Sequence, residues 1–157
     1  MELTVRRAEE RDIPRILELL LQVHAVHSEG RPDIFRRGGS KYNAEELRVI
    51  LATAHTPVFV AEEDGTVYGY AFCLLEEVKG DKSLCDRKSL YIDDICVDEA
   101  ARGKHVGKTL YESVRAYAAE LGIYHITLNV WCLNQGAMRF YEKCGMKPLK
   151  IVMEDIL

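Results

Sequence analysis

Hydrophobic and polar residues follow one another along this chain with two periods, one typical of strands and one of helices. In the first half, they predict a strand over 3–8, a helix over 12–27, a loop over 28–42, a helix over 43–54 and strands over 57–61 and 66–75. Asp12 is expected to cap the first helix, and Asn43 the second with Glu46 as its capping-box partner. The pair Asp64-Gly65 predicts a hairpin between the two strands.

The second half predicts alternating strands and helices. In chain order, we expect a charged loop or hairpin tip over 76–88, a strand over 90–97, a helix over 106–121, a strand over 124–131, a helix over 134–144 and a final strand over 146–154. Gly122 and Gly145 are expected to end the two helices. Pro148 favours an edge position for the final strand. Strand–helix–strand crossovers after a hairpin imply a mixed sheet.

The composition narrows the class of protein. Of the 157 residues, 48% are hydrophobic and 29% are charged, which predicts a single globular domain over 1–157 with a sizeable core. The net charge of −4 disfavours a nucleic-acid partner, since proteins of that class carry a basic surplus. No apolar stretch reaches the ~18 residues of a membrane span, and a secretion signal is missing. We therefore expect a cytoplasmic protein that uses neither nucleic acid nor membrane.

The cysteines and histidines give little support to a metal site. Five cysteines are present, an odd number without a C-x-x-C pair. They are Cys73, Cys85, Cys96, Cys132 and Cys144. This usage favours free thiols in a reducing compartment, with a zinc site or a catalytic thiol as the alternatives. His24 and His27 share a helix face, but no carboxylate or cysteine stands at ligand spacing, so we expect no metal.

The segment 97–110, VDEAARGKHVGKTL, combines features that suit a pyrophosphate. A strand ends and a helix begins within a glycine-containing turn, so unpaired N–H groups at the helix start would face the ligand. Arg102, Lys104 and Lys108 add positive charge. A basic helix start without any ligand is the plain alternative. A P-loop ending at Gly107 is disfavoured, because Arg102 stands where that motif needs its first glycine.

This segment resembles the acetyl-CoA-binding motif of the GNAT superfamily of N-acetyltransferases, [RQ]-x-x-G-x-[GA] after a strand. Arg102 takes the first position and Gly107 the last, while His105 stands where the family usually has glycine. The segment 134–146, NQGAMRFYEKCGM, is similar to the second family motif, N-x-x-A-x-x-x-Y-x-x-x-G-[FM]. The two motifs lie at the expected separation, and the order of elements matches over most of the chain.

The resemblance implies an α/β fold, α+β in some schemes, with a mixed and mostly antiparallel sheet of about six or seven strands flanked by four helices. It also implies transfer of an acetyl group from acetyl-CoA to a primary amine in a ternary complex, without a metal. The residues expected to bind the cofactor are Ile95, Cys96, Val97, Arg102, Gly103, Lys104, His105, Val106, Gly107, Lys108, Asn134, Ala137 and Tyr141. A non-catalytic acyl-CoA sensor or partner module is the alternative function.

Three residues are candidates for the chemistry. The resemblance gives Tyr141 the role of acid towards the CoA sulfur, with a core tyrosine as the alternative. Asp93 and Asp94 are candidate bases, because two carboxylates inside an apolar strand are costly unless they are solvated or paired. The spermidine/spermine acetyltransferases carry a similar acidic pair. Adjacent strand residues point to opposite sides of a sheet, so we expect one aspartate alone to face the site.

The acceptor pocket of the family is built from the first two helices, their loop and the hairpin. Here that implies the residues His24, His27, Arg31, Phe35 and Asp93, with an ordinary surface loop as the alternative. The acidic pair favours a cationic acceptor, either a small molecule or a peptide amine. The predicted edge strand at 146–154 makes a homodimer plausible.

Overall fold

The computed structural model describes residues 2–157 and contains a five-stranded sheet with helices on both faces. The strands are β1 (Thr4–Arg7), β2 (Val58–Glu63), β3 (Thr66–Val78), β4 (Arg87–Val97) and β5 (His125–Leu128). The helices are α1 (Ile13–Gly30), α2 (Ala44–Ala52), α3 (Val106–Glu120) and α4 (Gln135–Lys143). This mixed α/β architecture with four helices agrees with the fold class that the sequence predicts.

The strands lie side by side in chain order, and only the β4–β5 pair is parallel. The β2–β3 hairpin turns at Asp64 and Gly65, whose φ angles of 49° and 79° are those of a tight hairpin turn. Helix α3 provides the crossover that a parallel pair requires. The mixed pairing predicted from the order of elements is therefore confirmed.

Side chains of the central strands fill two cores, one on each face of the sheet. Val60 and Tyr70 point towards α1, where Ile16 and Leu20 are fully buried. Residues next to them in the strands, such as Ala71, point towards α3. Because helices cover both faces, the strands are apolar at successive positions instead of alternating with polar residues. This explains why the central strands read as continuous apolar runs in the sequence.

Two expectations about strands are wrong. Residues 146–157 form no strand, and the predicted strand 124–131 is reduced to β5, so the sheet has five strands instead of six or seven. An alternating pattern makes a strand only where another strand offers hydrogen-bonding groups. Residues 147–157 form no ladder with any strand of the described residues, and their apolar side chains are largely exposed. These are Leu149, Ile151, Val152, Met153, Ile156 and Leu157.

The predicted loop 76–88 and the predicted cap at Asp12 also need correction. The β3–β4 ladder continues through Glu77 and Lys88, because backbone pairing persists where charged side chains face solvent. Asp12 precedes α1, but its carboxylate makes no capping bond to that helix. It accepts instead from the Glu9 N–H at 2.7 Å and pairs with Arg6 at 2.8 Å. The sequence could not reveal Arg6 as the partner, since β1 brings it there.

The capping box of α2 is confirmed and fixes the chain immediately before it. Asn43 accepts a hydrogen bond from the Glu46 N–H at 2.8 Å, and Glu46 accepts one from the Asn43 N–H at 3.0 Å. These reciprocal bonds satisfy donors that the first turn of a helix leaves unpaired. Residues 41 and 42 therefore approach the sheet from a defined direction.

Candidate active site

A β-bulge in β4 brings both aspartates of the acidic pair to the same side of the sheet. Phe72 pairs with Asp94 and Cys73 with Ile92, so Asp93 is the extra residue on β4. A bulge places two residues opposite one and interrupts the alternation of side chains. Asp93 and Asp94 accordingly both bond to tyrosines on the α1–α2 side of the sheet. The expectation that only one of them faces this side is wrong.

Asp94 is held by a buried tyrosine. The Tyr70 hydroxyl donates to Asp94 Oδ2 at 2.6 Å. Burial raises the pKa of Asp94 and outweighs the hydrogen bond from Tyr70 and the charge of Lys41, which both lower it, while the charge of Asp93 raises it further. A carboxyl group with a raised pKa in a recessed position has the property required of a general base at neutral pH.

Asp93 lies nearer to solvent and holds two neighbours from the α1–α2 connection. Its Oδ2 accepts from the Tyr42 hydroxyl at 3.0 Å and is 2.8 Å from Lys41 Nζ. Burial and the negative charge of Asp93 raise the pKa of Tyr42, so this phenol stays protonated and donates. The carboxylate of Asp93 thus forms an ion pair with the side-chain amine of Lys41.

The backbone of β4 is open on one side beyond the acidic pair. Strands β4 and β5 pair only between Ser89–His125 and Ile92–Leu128, although β4 continues to Val97. The strands diverge after the last pair, so the β5 side of Ile95, Cys96 and Val97 is left for another partner. A chain of amide groups in a ligand can bind such an edge as an added strand does.

The start of α3 lies directly beyond this open edge. Its first N–H groups precede the first intrahelical bond, which runs from the Thr109 N–H to the His105 carbonyl at 3.0 Å. Such N–H groups and the helix dipole together favour an anion. Val106 contributes only backbone here, because its side chain is buried against α3 and the sheet. The turn can therefore bind a phosphate group by main-chain donors.

Two residues of this turn adopt left-handed backbone conformations. Gly103 has a φ of 82° and His105 a φ of 62°. A side chain is strained in that region, typically by about 1–2 kcal/mol, whereas glycine is not. This explains why the resembling family usually has glycine at the position of His105. The imidazole of His105 is exposed.

The space around Gly107 is narrow. A Cβ atom built there would lie 3.3 Å from the ring of Phe140 and 3.6 Å from Val97. Helices α3 and α4 therefore approach each other closely at this point. Three basic side chains surround the turn and are exposed: Arg102, Lys104 and Lys108. Among residues 2–157, a carboxylate partner is found for Lys108 alone of the three, namely Glu112 at 3.8 Å.

Helix α4 begins with the predicted cap and carries the candidate acid. The Asn134 side chain accepts from the Ala137 N–H at 3.1 Å. Tyr141 is half-buried and makes no hydrogen bond through its hydroxyl within residues 2–157. Burial raises the pKa of Tyr141, and the charge of Asp94 raises it further. This phenol is consequently protonated at neutral pH and lies within electrostatic reach of the acidic pair.

Cys96 lacks the environment of a nucleophile. Its thiol is buried and lies 3.5 Å from the Leu19 carbonyl. Burial raises the pKa of this thiol to about 12, and the charge of Asp94 acts in the same direction. The reactive form of a cysteine is the thiolate, which this site disfavours. The side chain faces α1, so only its backbone borders the open edge.

Aromatic rings gather on the acceptor side of the acidic pair. His27 stacks on Phe35 with ring centres 4.9 Å apart, and Phe35 meets Trp131 edge-on at 5.1 Å. His24 contacts Phe35 as well and bonds to the Arg36 carbonyl. Burial lowers the pKa of His27, as do the charges of His24 and Lys41, and its Nδ1 has no hydrogen-bond partner within residues 2–157. The cluster therefore offers apolar ring faces next to carboxylates.

Arg31 is already occupied by carboxylates of its own chain. Its guanidinium pairs with Asp33 at 2.8 Å and with Glu154 at 2.8 Å. Arg31 thereby links the end of α1 to residues 147–157. It could bind a ligand directly only if one of these two ion pairs were broken.

The sequence analysis missed three residues of the site, two that bond to the acidic pair and one in the aromatic cluster. Lys41 and Tyr70 bond directly to the aspartates, and Trp131 completes the aromatic cluster. Lys41 lies just before the Asn43 cap, and a helix cap in the sequence indicates that the chain has a defined position there. No local pattern marks Tyr70 or Trp131, because strand pairing and the β5–α4 connection bring them to the site.

Neither a metal site nor a membrane-spanning helix is found in the part of the chain that the structure describes. Between residues 2 and 157, no three His, Cys, Asp or Glu side chains form a group that could hold a metal ion. None of the helices in that range is both long and apolar enough to cross a membrane.

Comparison with known proteins decides the family. The model of the acetyltransferase (GNAT) family matches residues 20–146, which is most of the chain and includes the acidic strand, the α3 turn and Tyr141. The chain belongs to the GNAT acetyltransferase family. The GNAT resemblance of the two motifs is thereby confirmed.

Individual GNAT relatives differ in how much they share with this chain. Glucosamine 6-phosphate N-acetyltransferase of Arabidopsis thaliana is 36% identical over 66 residues, 42% of each chain. An N-acetyltransferase of Methanocaldococcus jannaschii is 24% identical over 95% of this chain and 62% of its own. This chain therefore spans about two fifths of the length of the first curated relative and about three fifths of the length of the second. The BH1408 protein of Bacillus halodurans, solved as a tetramutant, is 30% identical with a TM-score of 0.94, covering 98% of this chain and 99% of that one.

Proposed function

We propose that this chain, acting as one acetyltransferase domain, transfers the acetyl group of acetyl-CoA to a primary amine in a ternary complex. The observation that carries the proposal is the convergence of three features. An acidic pair on a bulge, an open β4 edge and a helix N-terminus follow one another within residues 93–108. Each suits one part of the reaction, namely the amine, the pantetheine arm and the pyrophosphate.

The cofactor would bind mainly through the backbone. The pyrophosphate is assigned to the N–H groups at the start of α3, with Arg102, Lys104 and Lys108 supplying charge. The arm is assigned to the open edge of residues 95–97. Because these contacts use main-chain groups, side chains such as Cys96 and His105 can vary without loss of the site. Asn134 and Ala137 act by fixing the start of α4.

The proton transfers are assigned to the acidic pair and Tyr141. Asp94, whose pKa burial raises, takes the proton that the attacking amine loses, directly or through water. Asp93 holds the ammonium form of the acceptor beside it. Tyr141, protonated at neutral pH, gives its proton to the CoA thiolate as the carbon–sulfur bond breaks. Membership of the family and the free Tyr141 hydroxyl support this division of roles.

The acceptor is proposed to be a cationic amine with an apolar or ring-shaped body. The carboxylates attract the charged group, while Phe35, His27 and Trp131 offer ring faces for the remainder. The relative named for glucosamine 6-phosphate acts on an amino sugar. An amino group on a sugar or small aromatic compound is therefore the first class to screen, with peptide amines second.

A thermal-shift comparison of acetyl-CoA, CoA and Mg-ATP tests the cofactor. A ligand at about 100 times its Kd stabilises a protein by roughly 2.7 kcal/mol, which is about 5–10 °C for a domain of this size. We expect a shift with both CoA forms and none with Mg-ATP. An amine screen that follows CoA release then tests catalysis. Acetyl-CoA binding without release for any amine would favour the alternative, a non-catalytic acyl-CoA sensor. No shift with either CoA form would refute both.

We further propose that the chain forms a homodimer through residues 147–157. These residues expose six apolar side chains, each at least 71% accessible, and form no strand. Strand β5 pairs only with β4, so its other edge carries free backbone groups. A second copy of the chain has the same exposed segment and the same unpaired β5 edge. Pairing the segment of each copy with the β5 edge of the other would bury the apolar side chains and satisfy the backbone groups.

Light scattering over a range of concentrations tests the dimer. We expect twice the mass of 17.9 kDa for the parent chain. Changing Ile151 and Met153 to serine should return the mass to that of one chain, because apolar burial is the main source of association free energy. Lys150→Ser, in the same segment, is the matched control. A monomeric parent would show that the segment folds back or takes another partner.

A further inference from the structure

Lys41 already holds an amine against the acidic pair. Its Nζ lies 2.8 Å from Asp93 Oδ2, at the carboxylate to which the external acceptor is assigned. The charge of Lys41 also lowers the pKa values of Asp94 and His27. The ammonium group therefore occupies the carboxylate oxygen to which an external amine is assigned, and its charge acts on both Asp94 and His27.

The backbone on both sides keeps Lys41 in this position. The ring of Tyr42 packs against Phe72 at 5.6 Å, and its hydroxyl bonds to the same oxygen of Asp93 at 3.0 Å. The capping box formed by Asn43 and Glu46 follows immediately. Because the residues that follow Lys41 are fixed, its side chain loses little conformational entropy when its amine contacts Asp93.

Lys41 is also accessible and differs from the other lysines near the site. Its side chain is 44% exposed, so it is not sealed off from an acyl donor. Lys108 belongs to the α3 turn and pairs with Glu112. Lys79 and Lys82 are exposed in the turn between β3 and β4, away from any base. Lys41 alone among these lysines contacts a candidate catalytic carboxylate.

We propose that Lys41 is a self-acetylation site, modified in cis by the acetyl-CoA bound to the same chain. The inference rests on the proposed acetyltransferase function. The Lys41 ammonium loses a proton to the acidic pair, and its Nζ attacks the thioester carbon. A nitrogen–carbon bond forms, the carbon–sulfur bond breaks, and the CoA thiolate takes a proton from Tyr141. The acylated nitrogen loses its second proton, which restores Tyr141, so the proton held by the acidic pair is the one released. The products are an amide on Lys41, free CoA and one released proton.

Modification changes the charge at the entrance to the site. The amide is neutral, so it no longer pairs with Asp93, and the carboxylate becomes free to hold a cationic acceptor. The unmodified lysine competes with that acceptor for the same oxygen. Self-acetylation would thus remove an internal competitor.

Acetyl-CoA with a deuterated acetyl group tests the proposal. The purified chain is incubated without any amine, quenched, digested and analysed by mass spectrometry, so that acetylation inherited from expression is distinguished by mass. We expect label at Lys41 to appear roughly 10²-fold faster than at Lys79 and Lys82, the scale of acid–base catalysis. The rate should be first order and independent of protein concentration. Tyr141→Phe should slow Lys41 labelling towards that of Lys79.

Two variants serve as controls. Lys41→Arg keeps a cation at Asp93 but cannot form the amide, so the label at this position should vanish. Lys82→Arg should leave the labelling of Lys41 unchanged.

The outcomes separate this proposal from the proposed function. Labelling of Lys41 at the rate of Lys79, in a preparation that acetylates an external amine, would overturn self-acetylation alone. A rate that rises with protein concentration would overturn modification in cis. Tyr141-dependent labelling without any external turnover would support self-acetylation and the transferase chemistry. Acetyl-CoA binding with neither reaction would overturn both.

Discussion

Tyr70 donates a 2.6 Å hydrogen bond to Asp94 from a ring that is completely buried. The bond favours the ionised carboxylate, whereas burial favours the neutral acid, and the pKa of Asp94 is raised because burial has the larger effect. The tyrosine limits this rise. The pKa of Asp94 is therefore lower than burial alone would make it.

Removing this hydrogen bond should shift the pH dependence of the reaction. In Tyr70→Phe the pKa of Asp94 rises further, so a smaller fraction of Asp94 is ionised at low pH. We expect the acid limb of kcat/KM to move to higher pH relative to the parent, measured with one acceptor amine. Tyr124→Phe, at an exposed tyrosine, is the control and should leave the limb in place. An unmoved limb in Tyr70→Phe would exclude Asp94 as the base.

Tyr141→Phe should lower kcat while leaving acetyl-CoA affinity nearly unchanged. The substitution removes only the hydroxyl, which makes no hydrogen bond within residues 2–157, so the fold should tolerate it. Loss of an acid typically lowers kcat by roughly 10²–10⁴-fold. Steady-state kinetics and a titration with acetyl-CoA measure the two effects separately. An unchanged kcat would mean that the thiolate leaves without this proton donor.

Gly107→Asp should abolish cofactor binding. The new carboxylate stands at the helix N-terminus, where it repels a pyrophosphate and occupies the dipole that would bind it. Its Cβ also meets Phe140 at 3.3 Å, so Gly107→Ala is needed to isolate the effect of packing. We expect the alanine variant to retain most of the thermal shift with CoA and the aspartate variant to lose it. Equal shifts in both variants would mean that the pyrophosphate binds elsewhere.

His105→Gly should stabilise the chain. The left-handed backbone at this position, with a φ of 62°, strains histidine but not glycine. Relief of about 1–2 kcal/mol is partly offset by the greater entropy of glycine in the unfolded chain, leaving a gain of about 0.5–1 kcal/mol. Urea unfolding measures the difference. Gly145→Ala, at a φ of 98°, should show the opposite sign. A destabilised His105→Gly would reveal contacts of the imidazole that outweigh the strain.

Much of the fold follows from local sequence. Helix boundaries at Asn43, Gly122 and Gly145 and the hairpin at Asp64-Gly65 were predictable, because caps and tight turns depend on a few adjacent residues. The α3 turn and the two motifs likewise lie within short stretches. These signals sufficed to predict the mixed sheet and membership of the GNAT family.

Other features depend on pairing between distant segments. The bulge at Asp93 arises from its register with Phe72 and Cys73, and it reverses the expected orientation of one aspartate. Residues 147–157 carry the pattern of a strand but form no ladder with any strand of the described residues. A period-two pattern indicates which side chains are apolar, while hydrogen bonds to another segment decide whether a strand forms.

The sequence by itself determined the four helices, most of the strands, their order and the residue types available for the chemistry. Only the tertiary structure decided which groups meet: Tyr70 with Asp94, Lys41 with Asp93, and Trp131 with Phe35. The physical reason is that the pKa and hydrogen-bond partners of a side chain depend on burial and on neighbours from other elements. Those neighbours are fixed by packing across the sheet, for which no local signal exists in the chain.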